Sequence, residues 1–189
     1  MHMNANILTL ALVLSLLGNI FLIAELDKKN EQPEAPVSEE QSEDDNAITI
    51  PSGESYPFIR VVDGDTITVG FDGDIEYVRF IGIDSPEPND PGGPECFATE
   101  STDHLSSLLN TGTVVLHFDG TQGLRDKHGR LLAYVELPDG TDLSAAMLRD
   151  GYAQEFTYDL PYERQALYQE AETQAQTAGR GLWAPYACR

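Results

Sequence analysis

The chain has 189 residues, 41% of them hydrophobic and 23% charged, a length and balance that fit one ordinary globular domain with residues to spare. Its formal net charge of −21 is unevenly placed: residues 1–56 carry ten of the 32 acids and two of the 11 bases, leaving 22 acids and nine bases, a formal −13, after Tyr56. A domain of that charge repels polyphosphate at long range, which excludes a broad basic nucleic-acid platform and requires any phosphate site to be local.

In chain order, Ile7–Ala24 is an almost unbroken apolar run, interrupted by Thr9, Ser15 and Gly18-Asn19 and followed by Glu25, Asp27, Lys28 and Lys29. At about 18 residues it lies at the short edge of a bilayer-spanning helix. Met1–Asn6 has no basic residue and Phe21–Glu25 has no clear A-x-A pattern, so residues 1–25 read as an uncleaved membrane anchor in preference to a cleaved signal. The positive-inside rule alone would leave Lys28 and Lys29 in the cytoplasm. Residues 26–56, with the acidic run Glu39–Asp45, hold too little apolar surface to offset ordering entropy and read as a disordered acidic linker. Residues 57–189 are the expected globular domain, held outside the cytoplasm on its membrane tether, or secreted if the segment is cleaved.

Within that domain, Phe58–Val62 and Thr66–Phe71 are β-rich runs separated by Asp63-Gly64-Asp65, and the turn residues Gly70–Asp74 precede a third strand, Ile75–Ile83. Pro86–Pro94 is a loop dense in proline and glycine. Glu95–Leu109 follows as a helix with Phe97, Leu105, Leu108 and Leu109 on one stripe, ended by Asn110-Thr111-Gly112. Thr113–Phe118 and Leu131–Leu137 are two further strands flanking the polar loop Asp119–Arg130. Asp142 is a good N-cap for a short helix Leu143–Asp150 closed by Gly151, and Pro161 opens a longer helix that runs to Ala178 before Gly179. Leu182 and Trp183 are expected to pack over the domain as an apolar clip. The expected fold is α+β: a five-stranded OB-type Greek-key β-barrel with about three helices.

The two cysteines are Cys96, near the start of the first predicted helix, and Cys188, next to the last residue. Neither has a second Cys or a His at metal-ligand spacing, which argues against zinc. They are either a disulfide tying the C-terminal tail back to the domain or two unpaired structural thiols; the membrane segment upstream favours the bridge, which requires an oxidising compartment.

The chemistry concentrates in two acidic segments, Asp63-Gly64-Asp65-Thr66 and Asp84-Ser85-Pro86-Glu87. Each joins a strand to a tight turn, so the acids can meet at one mouth of a barrel, and hard oxygen ligands on tight loops suit calcium or magnesium. Alone, Asp-Gly-Asp is an ordinary hairpin feature whose acids bond their own backbone. Arg79 is the second element: it stands mid-strand in Tyr77–Ile81, where a guanidinium needs a strong partner, either a simple salt bridge or an anionic ligand. Arg130 closes Arg125-Asp126-Lys127-His128-Gly129-Arg130, the most positive loop in the chain. Two arginines and a carboxylate-bound cation would together clamp a phosphodiester and absorb the charge that grows on it during in-line attack.

Five blocks occur in order: Val62–Thr66; Val78–Phe80 continuing to Ile83–Glu87; Asp126–Arg130 with Leu132–Tyr134; Leu148–Ala153; and Gly181–Trp183. On these blocks, from about Phe58 to Trp183, the chain resembles the staphylococcal nuclease (thermonuclease) family. The resemblance implies an OB barrel with helices. It implies Asp65, Asp84 and the backbone carbonyl of Ser85 as calcium ligands, Glu87 as general base or water-positioning group, and Arg79 and Arg130 on the scissile phosphate. It further implies hydrolysis of DNA and RNA on the 5′ side of the phosphodiester, leaving 3′-phosphates.

Three departures accompany it. Ser85 stands where the best-known member has threonine, harmless if only the carbonyl ligates. His128 replaces a tyrosine used near the phosphate, and either alters substrate grip and pH response or is a loop histidine without a role. Phe156 and Tyr158 are the nearest candidates for stacking on a base. Lys127, His128 and Tyr158 are the expected substrate contacts. The expected protein is a monomeric, calcium-dependent endonuclease of little sequence specificity acting on DNA, RNA or both. A catalytically inactive nuclease-like module that binds nucleic acid or protein is the alternative; the presence of all five acids and arginines and the lack of basic surface argue against it.

Overall fold

The computed structural model describes residues 50–188, so the expected anchor and the acidic run of the linker lie outside the described residues. Among the described residues no helix is long and apolar enough to cross a membrane. The strands are β1 (Glu54–Val61), β2 (Thr66–Phe71), β3 (Asp74–Phe80), β4 (Ile83–Asp84), β5 (Thr113–His117), β6 (Leu131–Glu136) and β7 (Gln154–Glu155). The helices are α1 (Ala98–Leu108), α2 (Leu143–Asp150) and α3 (Gln165–Ala178), and a 3-10 turn covers Gly181–Trp183.

Five strands close into a barrel in the order β1-β2-β3-β6-β5, with β3 and β6 parallel and the other neighbours antiparallel. This is the OB-type α+β arrangement. One long bent strand makes closure possible: Glu54–Pro57 pair with β5, Phe58–Val61 pair with β2, and the register shifts between Phe58 and Arg60. Strand β1 therefore begins four residues before Phe58, and Ile50 and Tyr56 are buried in the core.

Period-two alternation sends Ile67 and Val69, Val78 and Phe80, Val114 and Leu116, and Leu131, Ala133 and Val135 inward, all essentially without solvent contact. Leu105 of α1, Leu143 and Met147 of α2 and Tyr168 of α3 close the core. Each large apolar side chain buried in this way contributes about 2 kcal/mol. The exposed Arg125–Glu76 pair contributes at most about 1 kcal/mol. The apolar layer, not the surface ion pairs, therefore holds β3 in place beneath the polar residues at the barrel mouth.

Three elements differ from the expectation. The strand expected over Ile75–Ile83 breaks at Gly82, whose φ is +80°; a Cβ there would lie 2.6 Å from the Tyr162 ring and 2.7 Å from the Tyr168 ring. After the break the chain pairs as β4 with β7, a two-stranded sheet that two-residue strands such as Ile83-Asp84 and Gln154-Glu155 do not announce. Helix α1 begins at Ala98 and not at Glu95, because Phe97 is held in the left-handed region (φ 76°) and Cys96 is bonded to Cys188. Helix α3 begins at Gln165 and not at Pro161. The Asp119 carboxylate captures the Glu163 amide at 2.8 Å and the Tyr134 hydroxyl oxygen accepts from the Arg164 amide at 3.4 Å, which bends the chain before the first helical turn. Asp142 does cap α2, accepting from the Ala145 amide at 2.9 Å, and Gly151 ends it with φ 82°.

Candidate active site

The site starts from a glycine. At Gly64, between Asp63 and Asp65, a Cβ would overlap the Ser101 hydroxyl of α1 and press within 2.8 Å of Ser85. Only glycine allows the β1–β2 turn to lie this close to α1 and to the segment after β4. That approach joins the two acidic segments: the Ser85 amide donates to Asp65 Oδ2 at 2.8 Å, and the Asp65 amide donates to Asp63 Oδ1 at 3.1 Å. Among the described residues the buried Ser85 hydroxyl has no hydrogen-bond partner, so the backbone of Ser85, not its side chain, is engaged.

Asp65 has no solvent exposure, and its other oxygen accepts from the Thr66 hydroxyl at 3.0 Å and from Arg79 Nε at 3.1 Å. Arg79 is nearly as fully used. Its Nη1 donates to the carbonyls of Phe80 at 2.9 Å and Ile83 at 2.7 Å, and its Nη2 donates to Asp84 Oδ1 at 2.8 Å. Four of the five guanidinium N–H groups are thus committed, and one on Nη2 remains. The break at Gly82 matters here: it turns Ile83 and Asp84 back onto the arginine four and five residues behind them.

Arg130 reaches the same cluster from the opposite loop. Asp126 shapes that loop, accepting on Oδ1 from the amides of His128 and Arg130, both at 2.9 Å, and on Oδ2 from Arg130 Nε at 2.7 Å. Gly129 supplies the left-handed backbone (φ 83°) that the turn requires. Arg130 Nη1 then lies 3.4 Å from the Thr66 hydroxyl oxygen, the same group that donates to Asp65. One hydroxyl therefore connects the second arginine to the buried acid, and both Nη2 hydrogens of Arg130 are left unbonded among the described residues.

Four carboxylates, Asp63, Asp65, Asp84 and Glu87, face two guanidiniums. Burial and then the Asp65 charge push Asp63 up to about 7. Burial raises Asp84 against the pull of Arg79, and burial followed by Asp65 raises Glu87. The donors are all oxygen and the local charge is in excess, which suits a hard divalent cation. Among the described residues no group of three or more His, Cys, Asp or Glu side chains is arranged as a metal cage. A cation here would be held by fewer carboxylates, completed by backbone oxygen or water.

A groove of about 520 Å³ opens beside the cluster, lined by Arg79, Arg130, Lys127, His128, Phe156 and Tyr158 among others. Asp63, Asp65, Asp84 and Glu87 are not part of its wall, whereas Asp126 and Asp159 are. Lys127 and His128 are exposed in its lining, and the Phe156 and Tyr158 rings, 6.2 Å apart, line it 42% and 69% exposed. The structure thus gathers Asp65, Asp84, Ser85, Glu87, Arg79 and Arg130 at one mouth of the barrel and puts Lys127, His128 and Tyr158 along the adjoining groove. Cys96 and Cys188 are bridged.

Three residues of the site were not singled out from the sequence: Thr66, Asp126 and Glu95, whose carboxylate accepts from the Glu87 amide at 2.8 Å. Asp126 stands four residues before Arg130, a readable ion-pair spacing outside a helix only when a turn is assumed. Thr66 and Glu95 act across strands and loops, and no local pattern marks them.

Comparison with known proteins follows the same residues. A family model described as staphylococcal nuclease homologue matches residues 77–185. That span contains Arg79, Asp84, Ser85, Glu87 and Arg130, whereas Asp65 precedes it. Among curated proteins, the chain is 35% identical over 134 residues to the thermonuclease of Staphylococcus hyicus, covering 69% of this chain and 76% of that protein. It is 35% identical over 134 residues to the thermonuclease of Staphylococcus intermedius, covering 69% and 77% respectively. It is 32% identical over 126 residues to the SPbeta prophage-derived endonuclease YokF of Bacillus subtilis (strain 168), covering 66% of this chain and 42% of that protein.

Proposed function

Because this chain belongs to the staphylococcal nuclease homologue family, we propose that it is a calcium-dependent endonuclease hydrolysing DNA, RNA or both with little sequence preference and leaving 3′-phosphates. The observation that carries this reading is the coupling of two guanidiniums to one buried acid: Arg79 directly to Asp65, and Arg130 to it through the Thr66 hydroxyl. Both arginines line the groove and both keep N–H groups for an anion. A phosphodiester oxygen is the ligand that planar, charged donors of this kind recognise best.

Asp65, Asp84 and the backbone carbonyl of Ser85 would hold the cation, an oxygen set of the hard type that calcium prefers. When bound, calcium supplies positive charge to the phosphate oxygens as negative charge grows on them. The chain's own residues do the rest. Glu87, half-buried and with its proton affinity raised by burial and by Asp65, accepts the proton of the attacking water. The water oxygen bonds to phosphorus, the bond from phosphorus to the 5′-oxygen breaks, and that oxygen departs with the electron pair and takes up a proton. Arg79 and Arg130 donate to the non-bridging oxygens and spread the charge of the pentacoordinate stage. Lys127 and His128 of the groove lining contact the backbone, and Phe156 and Tyr158 offer faces on which a base can stack.

With so acidic a domain, the cation and two arginines supply nearly all local attraction for phosphate, and substrate grip weakens at low calcium. The same reading makes the protein a monomer tethered to a membrane by its N-terminal segment, with the catalytic domain outside the cytoplasm or secreted after cleavage. The Cys96–Cys188 bridge supports an oxidising location.

The test is the full chain incubated with plasmid and single-stranded DNA, with calcium and with chelator. Calcium-dependent cleavage that disappears in Glu87→Gln and in Arg130→Ala is expected. No cleavage with calcium would overturn the enzymatic reading in favour of a binding module, and cleavage undiminished in both variants would overturn the assignment of the activity to this site.

A further inference from the structure

The loop that carries Glu87 is closed on itself by a reciprocal pair of bonds. The Glu87 amide donates to Glu95 Oε2 at 2.8 Å, and the Glu95 amide donates back to the Glu87 carbonyl at 2.9 Å. Between them the chain makes a turn around Asp90, which accepts from the Gly92 amide on Oδ1 at 2.7 Å and from the Gly93 amide on its carbonyl at 2.9 Å. The proline- and glycine-rich segment thus returns to its own start.

The two partners are anchored unequally. Glu95 precedes Cys96, which is bonded to Cys188, and Phe97, whose ring packs 5.4 Å from that of Tyr152. Beyond Phe97 the chain enters α1, whose Ser101 donates to the Tyr152 carbonyl at 2.6 Å. Glu95 therefore stands on a backbone fixed by a covalent bond and a packed helix. Glu87 follows the buried Pro86, two residues after Ser85, whose amide is bonded to Asp65, and among the described residues its carboxylate accepts no hydrogen bond, so its position depends on its backbone. That backbone is held by Glu95, through a charge-assisted bond of the stronger kind.

The clamp adds negative charge where charge is already in excess, since Glu95 is one of the groups that raise Asp84. Its geometry has a consequence for chemistry. A general base must stand within hydrogen-bond reach of the water it deprotonates, and a displacement of about 1 Å can cost about a hundredfold in rate. We propose that Glu95 is a positioning residue for the hydrolytic step, holding Glu87 in place through the reciprocal backbone clamp that the Cys96–Cys188 bridge anchors. This rests on the reading of Glu87 as the group that handles water.

The experiment compares full-length parent, Glu95→Ala, Glu95→Gln, Glu87→Gln and the Glu87→Gln/Glu95→Ala double variant for kcat and KM on plasmid DNA with calcium. Glu95→Ala is expected to lower kcat about ten- to a hundredfold, with KM moving no more than about twofold. The Glu95→Gln amide oxygen can accept the same N–H, so kcat should return to within about threefold of the parent. The double variant should be no slower than Glu87→Gln alone, because the clamp acts through Glu87.

An unchanged kcat in Glu95→Ala, an equal loss in Glu95→Gln, or multiplicative losses in the double variant would overturn the proposal. If Glu95→Ala does not fold, Glu95→Asp replaces it: the shorter side chain cannot reach the amide and should lose kcat while Glu95→Gln does not. A Glu87→Gln protein that cleaves at the parental rate removes the Glu87 reading and the clamp's role together. An inactive Glu87→Gln beside a fully active Glu95→Ala removes the clamp's role alone.

Discussion

Arg79 donates from Nε to the carboxylate of Asp65 at 3.1 Å, and this pair joins the C-terminal end of β3 to the turn between β1 and β2. Asp65 is fully buried and the Arg79 side chain is 12% exposed. Removing one partner leaves a buried charge, which costs about 3–5 kcal/mol when nothing else compensates. Thr66 and Ser85 still donate to Asp65, so Arg79→Ala should cost about 2–3 kcal/mol, and adding Asp65→Asn should recover much of it. The exposed pair Arg125–Glu76 is the control, with Arg125→Ala costing less than about 1 kcal/mol. Urea unfolding in chelator measures both; equal costs for the two arginines would show that burial of the pair does not matter.

Asp63 makes the stability of the cation-free protein fall as pH rises. Burial, reinforced by the Asp65 charge, lifts it to about 7, above an ordinary aspartate near about 3.9. A carboxyl raised in the folded state contributes stability that is fully present below the unfolded value and is lost as pH rises through the folded one. Thermal unfolding in chelator should therefore show a falling midpoint between about pH 4 and pH 7, and Asp63→Asn should flatten it. The same slope in Asp63→Asn as in the parent would assign the effect to other acids of the cluster.

Asp119 has the opposite sign. Burial works against its charged form, but the Tyr134 hydroxyl, the amides of Glu163 and Thr121 and the Thr121 hydroxyl outweigh it and hold the group down to about 2. Its contribution is present above the unfolded value of about 3.9 and disappears as pH falls toward 2. Tyr134→Phe removes one donor, so its acid-unfolding midpoint should lie at higher pH than the parent's. An unmoved midpoint would mean that Asp119 does not govern the acid limb.

The Cys96–Cys188 bridge closes a sequence separation of 92 residues. In the chain-entropy account a loop of that size is worth about 4.6 kcal/mol. The Cys96→Ser/Cys188→Ser protein should unfold at correspondingly lower urea, and reductant should lower the parent's midpoint but not the variant's. A variant as stable as the oxidised parent would be incompatible with this.

Tyr158 stands 69% exposed beside Phe156 in the lining of the groove. Stacking on an aromatic ring is worth about 1–3 kcal/mol per base. Tyr158→Ala should raise KM for single-stranded DNA about tenfold with kcat changed less than about twofold. A loss confined to kcat would place the ring in the chemical step and not in substrate grip.

The sequence by itself determined the barrel and the kinds of residue at its mouth. Alternation at Ile67 and Val69, at Val78 and Phe80 and at Leu131, Ala133 and Val135 is local, as are the Asp142 cap and the Gly151 stop, because pleat and cap act over a few residues. Asp65, Asp84, Glu87, Arg79 and Arg130 were legible only as a combination, two acidic segments beside an in-strand arginine and a basic loop, in blocks that resemble one family; alone, Asp-Gly-Asp is an ordinary hairpin feature. Only the tertiary structure decided who meets whom. Asp65 lies against Arg79 and the Ser85 amide because Gly64 lets a turn approach α1; Asp84 returns to Arg79 because Gly82 breaks the strand against two tyrosine rings; Glu95 holds Glu87 from across a loop. Each such partnership is settled by which backbone segments become neighbours on barrel closure, and that is a property of the whole packed core, not of any short stretch of sequence.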